Sequence, residues 1–81
     1  MDEIKNQIIE ILNEIIPDVS NEELENNKEL VHSGLLNSFS IVMLIGELSD
    51  KFDIEISPQE ITYDNFDSLD GLSKMVERLS D

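Results

Sequence analysis

Three stretches of this chain repeat apolar residues at helical spacing, and nowhere does it offer two alternating segments that could pair as a sheet. Ile4, Ile8, Leu12 and Ile15 form the first stripe, widened by Ile11 and Ile16, with Lys5, Glu10 and Glu14 on the opposite side. Phe39, Val42, Ile45, Leu48 and Phe52 form the second, and Leu72, Met75, Val76 and Leu79 the third. A helix with one apolar stripe must bury it against another element. With no sheet available and only 81 residues, the pattern predicts an all-α fold, a small helical bundle of three long helices plus short helical turns, over a single domain 1–81.

Local signals set the boundaries. Pro17 ends the first helix. SNEE, residues 20–23, fits a capping box and starts a short turn around Leu24. The polar connection 18–37 is anchored by Leu24, Leu30, Leu35 and Leu36. IEIS, residues 54–57, alternates like a strand but has no partner, so it is read as extended loop. SPQE, residues 57–60, fits a second capping box with Pro58 at the first helical position and a turn ending near Ile61. The second long helix differs from the others: Ile41, Met43 and Leu44 make it apolar on more than one face, which requires burial on several sides or a partner.

Charge excludes some functions. Nineteen Asp and Glu against five Lys and Arg give a formal charge of −14, which repels nucleic acid and anionic membrane, favours basic partner surfaces and makes a monomer the default. So much like charge predicts a modest, salt-sensitive stability. Residues 38–52 stand apart, with Lys51 against Glu47 and Asp50 for a net −1. There is no cysteine, hence no disulfide framework, thiolate metal site or cysteine nucleophile. The start MDEIKNQI lacks the plan of a signal peptide, and no apolar run approaches the ~20 residues of a membrane span, so a cytoplasmic location is expected.

Ser38 is the candidate functional residue. Asn37 is a good N-cap, which places Ser38 first in the helix, where N–H groups lack partners and the macrodipole stabilises an anionic group by ~0.3–1 kcal/mol. Gly34 gives the preceding loop a conformation other residues resist, and Leu35 and Leu36 tie it to the core. A phosphate ester on this hydroxyl would sit well; the bland reading is a serine that only caps. Unaided nucleophilic catalysis is weaker, because a serine needs a base and the sole histidine, His32, lies six residues back in a loop, where a surface or capping role suits it.

GLLNSF, residues 34–39, followed by IVMLIGELSDKFDIEI, residues 41–56, resembles the phosphopantetheine attachment region of the acyl carrier protein superfamily, and the likeness extends over essentially the whole chain. It implies a four-helix bundle of acyl-carrier-protein type. It also implies that Ser38 carries 4′-phosphopantetheine, donated by coenzyme A through a carrier-protein synthase (a phosphopantetheinyl transferase). The thiol of that arm would hold an acyl or aminoacyl group as a thioester, received from a loading ligase and passed to a downstream transferase or synthase. The carrier would present and not catalyse. Leu35, Leu36 and Phe39 also resemble stand-alone aminoacyl carriers of the D-alanine type, loaded by a dedicated adenylating ligase.

Two departures from the family pattern bear on partners. Asn37 stands where the family usually has Asp, keeping the cap but losing a charge read by the synthase, which implies slow or selective modification. Met43 stands where many fatty-acid carriers have Glu, and Gly46 costs the helix ~1 kcal/mol relative to Ala. With Asn37, Phe39, Val42, Met43, Glu47 and Asp50 as the docking residues, this more neutral face implies a dedicated partner. The family's usual tripeptide also occurs as Asp67-Ser68-Leu69, but without a Gly-Leu-Leu loop before it; a helix cap explains Ser68. An EF-hand built on Asp70 and Gly71 puts Phe66 at the first ligand position, so calcium is disfavoured and no metal is expected. The reading from a different class is an unmodified helical adaptor that binds through residues 39–52.

Overall fold

The protein is described by a computed structural model over residues 2–80. It contains helices α1 (Asp2–Ile15), α2 (Asn21–Asn26), α3 (Ser38–Phe52), α4 (Tyr63–Phe66) and α5 (Leu69–Ser80), with a 3₁₀ turn at Pro58–Glu60. Among the described residues there is no strand, and the fold is the all-α bundle that the three stripes predict. Helix α1 packs on both α3 and α5, α4 packs on α5, and α2 closes against α1.

Each long helix supplies one buried line to a shared core. Ile8, Ile11 and Leu12 come from α1, Leu44 and Leu48 from α3, and Leu69, Leu72, Met75 and Val76 from α5. Leu24 of α2 and Phe66 of α4 are fully or almost fully enclosed, as are Leu30 and Leu36 of the long connection. Each such side chain contributes ~1.5–3 kcal/mol on leaving water. The connection 27–37 is therefore held by two buried leucines.

The helix ends follow from local chemistry. Pro17 stops α1 just after Ile16 N–H has bonded to Leu12 O at 2.7 Å. Ser20 Oγ accepts Glu23 N–H at 3.1 Å, which is the serine half of the first capping box; the reciprocal half is not made, because the Glu23 carboxylate takes Asn27 Nδ2 at 3.0 Å. The second box does not form. The 3₁₀ turn begins at Pro58, but Ser57 makes no side-chain cap bond. Glu60 is drawn away instead, accepting both Arg78 Nη1 and Nη2 at 3.1 and 2.7 Å, and Asn65 Nδ2 donates to Glu60 O at 2.7 Å. A bidentate guanidinium outcompetes a backbone N–H for a carboxylate. Residues 54–57 form a loop with no helix or strand, as read from the sequence, and Ser57 at its end is extended (φ −76°, ψ 160°).

The second stripe is rotated relative to its expected register. Helix α3 buries Ser40, Leu44 and Leu48, with Ile41, Ile45 and Phe52 partly covered, and turns Phe39 and Val42 outward. Periodicity alone could not choose among the apolar faces of so apolar a helix. Helix α3 runs unbroken through Gly46 and closes at Asp53 in the left-handed region (φ 55°), a conformation Asp tolerates better than most residues.

Two glycines have opposite roles. A Cβ on Gly46 meets nothing within 4 Å, whereas one on Gly71 falls on the Asp64 carbonyl oxygen and lies 3.1 Å from that of Asn65, because α5 approaches the backbone of α4 there. Gly46→Ala is therefore predicted to stabilise the fold by about 1 kcal/mol, and Gly71→Ala to destabilise it by about 1–3 kcal/mol. Urea unfolding of both variants checks this; a shift of the same sign in both would contradict it.

Candidate functional site

The start of α3 is built from its own sequence. Asn37, in extended conformation, accepts Ser40 N–H on Oδ1 at 2.8 Å, and Asn37 O accepts Ile41 N–H at 2.9 Å. Ser38 is thus the first helical residue, and it is exposed. The N–H groups of Ser38 and Phe39 have no intrahelical acceptor by helix geometry, which leaves that tip electropositive.

The loop before it is a series of tight turns. Asn27 Oδ1 accepts Glu29 N–H at 2.7 Å, Ser33 N–H donates to Glu29 O at 2.7 Å, and Leu36 N–H donates to Leu30 O at 2.9 Å. Gly34 takes φ +92°, a region where side chains are strained, and so permits the reversal. Leu35 is half-buried and Leu36 buried.

Asp67 ties this loop to the other side of the bundle. Its Oδ1 accepts the N–H groups of Val31 and His32 at 2.8 and 3.2 Å, its Oδ2 lies 2.5 Å from His32 Nδ1, and its carbonyl accepts Leu30 N–H at 2.8 Å. The His32 ring also lies over Tyr63, with centroids 4.1 Å apart and planes 30° from parallel. The His32 ring thus bonds Asp67 through Nδ1 and lies against Tyr63, and among the described residues no hydrogen bond joins it to Ser38. Burial works to raise the Asp67 pKa, but the hydrogen bonds from the His32 ring and from the Val31 and His32 N–H groups outweigh it and hold the carboxyl below the usual range.

The other docking candidates lie along α3 beyond Ser38. Phe39 (74% exposed), Val42 (67%) and Met43 (39%) form an apolar patch directly after it. By the helical period Phe39, Met43 and Asp50 share one line, with Val42 and Glu47 on either side, and both acidic residues are exposed. Ser68 lies elsewhere: it is half-buried and its Oγ accepts Gly71 N–H at 3.0 Å, the capping role read from the sequence. The stretch tested as an EF-hand is helical from Leu69 onward, and Asp70 pairs with Lys5 at 2.5 Å.

Sequence reasoning missed a groove. A cleft of about 490 Å³ opens beside Ser38, lined by Val31, Ser38, Ile41, Ile61, Thr62, Tyr63 and Phe66. The segment 61–66 is too short for a periodic signal, and Asp67 was legible only as part of a tripeptide before a helix. A polar residue that accepts backbone N–H groups thirty-odd positions away leaves no local mark.

A family model described as a phosphopantetheine attachment site matches residues 4–76. The chain belongs to that family, the acyl carrier protein superfamily, whose domain is the site of covalent 4′-phosphopantetheine attachment. Within it the chain is similar to D-alanyl carrier proteins: those of Bacillus cereus (strain B4264) and Bacillus anthracis (strain CDC 684 / NRRL 3495) are each 31% identical over 80 residues, covering 98% of this chain and 99% of theirs. It is thus a carrier protein. Among the described residues no helix is long and apolar enough to cross a membrane.

The Asp67 contacts yield a pH prediction. A carboxyl whose folded pKa is lowered contributes stability that is present above its unfolded value, ~3.9, and is lost as pH falls through the folded value. Asp67→Asn removes that contribution. Urea unfolding should show the wild type more stable than Asp67→Asn near neutral pH and the two converging as the pH falls below the ordinary carboxyl range; a gap independent of pH would contradict the assignment.

Proposed function

We propose that this chain carries 4′-phosphopantetheine on Ser38 and presents an aminoacyl group of the D-alanine class, acting as one carrier domain over residues 1–81. The observation that carries this reading is the exposed hydroxyl of Ser38 at the capped, electropositive start of α3, inside the stretch matched to the attachment family. The surroundings fit a phosphodiester there: solvent on one side, unpaired N–H groups beneath and an open groove alongside.

In the modification, Ser38 Oγ forms a bond to the β-phosphorus of coenzyme A. The pyrophosphate P–O bond breaks, the adenosine bisphosphate leaves with the electron pair, and the hydroxyl proton passes to a base on the transferase. When attached, the arm supplies a thiol that holds the acyl or aminoacyl group as a thioester. The chain's own residues position and present. Asn37 fixes the helix start without a carboxylate, a difference that goes with selective recognition by the transferase. Phe39, Val42 and Met43 offer an apolar docking patch, and Glu47 and Asp50 meet basic partner groups, speeding encounter more than setting affinity.

The D-alanine class is favoured over fatty acyl cargo by the relatives, whose name states their cargo, and by the weakly charged α3 face, which suits a dedicated adenylating ligase. A cytoplasmic location, with coenzyme A and these enzymes, and a monomeric state go with this reading.

Incubation with coenzyme A and a phosphopantetheinyl transferase is expected to add one arm to the wild type and to Ser68→Ala and none to Ser38→Ala, read by intact mass. Subsequent ATP-dependent loading by a D-alanine-activating ligase should add one alanyl group. Labelling retained in Ser38→Ala would reject the site, and an unmodified wild type with partner binding insensitive to Ser38→Ala would favour the helical adaptor.

A further inference from the structure

His32, Tyr63 and Asp67 form a side-chain cluster beside the groove that carrying a group on Ser38 does not by itself explain. The loop and α3 contribute Val31, Ser38 and Ile41 to the groove, and the segment 61–66 contributes Ile61, Thr62, Tyr63 and Phe66. The imidazole of His32 joins the two sides, bonded to Asp67 and laid against the Tyr63 ring. We propose that this cluster is a latch that holds the groove open, making His32 a positioning residue for modification of the Ser38 hydroxyl; the inference rests on Ser38 being the attachment point.

The physical reason lies in Tyr63. The residue is 59% exposed, so burial does not fix its rotamer, and the His32 ring is the aromatic neighbour that restrains it. A phenol ring released at the edge of an apolar cleft lowers its exposed area by turning into that cleft. Here the cleft is the one that Ser38 lines, so the turned-in ring competes with whatever must approach the hydroxyl. The imidazole is separable from the rest of the clamp, because Val31 and His32 reach Asp67 through their backbone N–H groups, which His32→Ala retains. Removing the imidazole therefore frees Tyr63 without unhooking the loop.

Initial rates of phosphopantetheine transfer to the full apo chain, from coenzyme A with a phosphopantetheinyl transferase, test this once amide NMR spectra show each variant folded. His32→Ala is expected to lower kcat/KM by roughly three- to tenfold, mainly through KM, because only the fraction of molecules with an open groove is competent. His32→Phe, which keeps a ring over Tyr63, should recover most of the loss. The double variant His32→Ala with Tyr63→Ala should return to the rate of Tyr63→Ala alone, since no phenol remains to close the groove; a merely structural role for His32 predicts no such rescue. A wild-type rate in His32→Ala, or losses that multiply in the double variant, would overturn the latch while leaving Ser38 as the attachment point. An unmodified wild type would overturn both.

Discussion

The carboxylate of Asp67 accepts two backbone N–H groups and one ring N–H from residues 31 and 32, and the position of Ser38 depends on that reach across the bundle. Without it, the polar connection 27–37 would rest on its buried leucines and its own turns. With it, the segment leading into α3 is fastened to the junction between α4 and α5, and α5 in turn packs on α1 and α4. A charged acceptor with three donors is strong enough to order a loop, and its strength shows in a carboxyl held ionised below its usual range.

From that anchor the site follows in short steps. Asp67 fixes Leu30 to His32, the Leu36-to-Leu30 bond folds the loop back, Gly34 allows the reversal, and the Asn37 cap turns the chain into α3. Ser38 then emerges at the helix tip with a groove on one side and an exposed apolar patch on the other. Electrostatics complete the picture. A chain with a formal charge of −14 attracts basic surfaces at long range, while residues 38–52, nearly neutral, would present little charge to be desolvated in the proposed docking on Phe39 and Met43.

Much of this was legible in the sequence because it is written locally. The Pro17 stop, the Ser20 and Asn37 caps, the Ser38 helix start and the Ser68 cap each involve residues within four positions of one another, and each forms as read. What was not legible depends on distant partners. Glu60 leaves its capping box for Arg78, eighteen residues on, and Asp67 leaves its tripeptide for a loop thirty-six residues back. The facing of α3 is a third case: the stripe of Phe39, Val42, Ile45, Leu48 and Phe52 competes with Ile41, Met43 and Leu44 on other faces, and packing against α1 and α5 put Leu44 and Leu48 inward and Phe39 and Val42 outward. The groove escaped notice for the same reason, since its two sides meet only in the folded chain.

The central claim is that one mid-chain hydroxyl serves as the tether. Tandem mass spectrometry of tryptic peptides from the protein purified from its native cells tests it most directly. The account predicts phosphopantetheine on the peptide spanning residues 29–51, with fragment ions placing it on Ser38; the same group on Ser68, or on any other side chain, would contradict it.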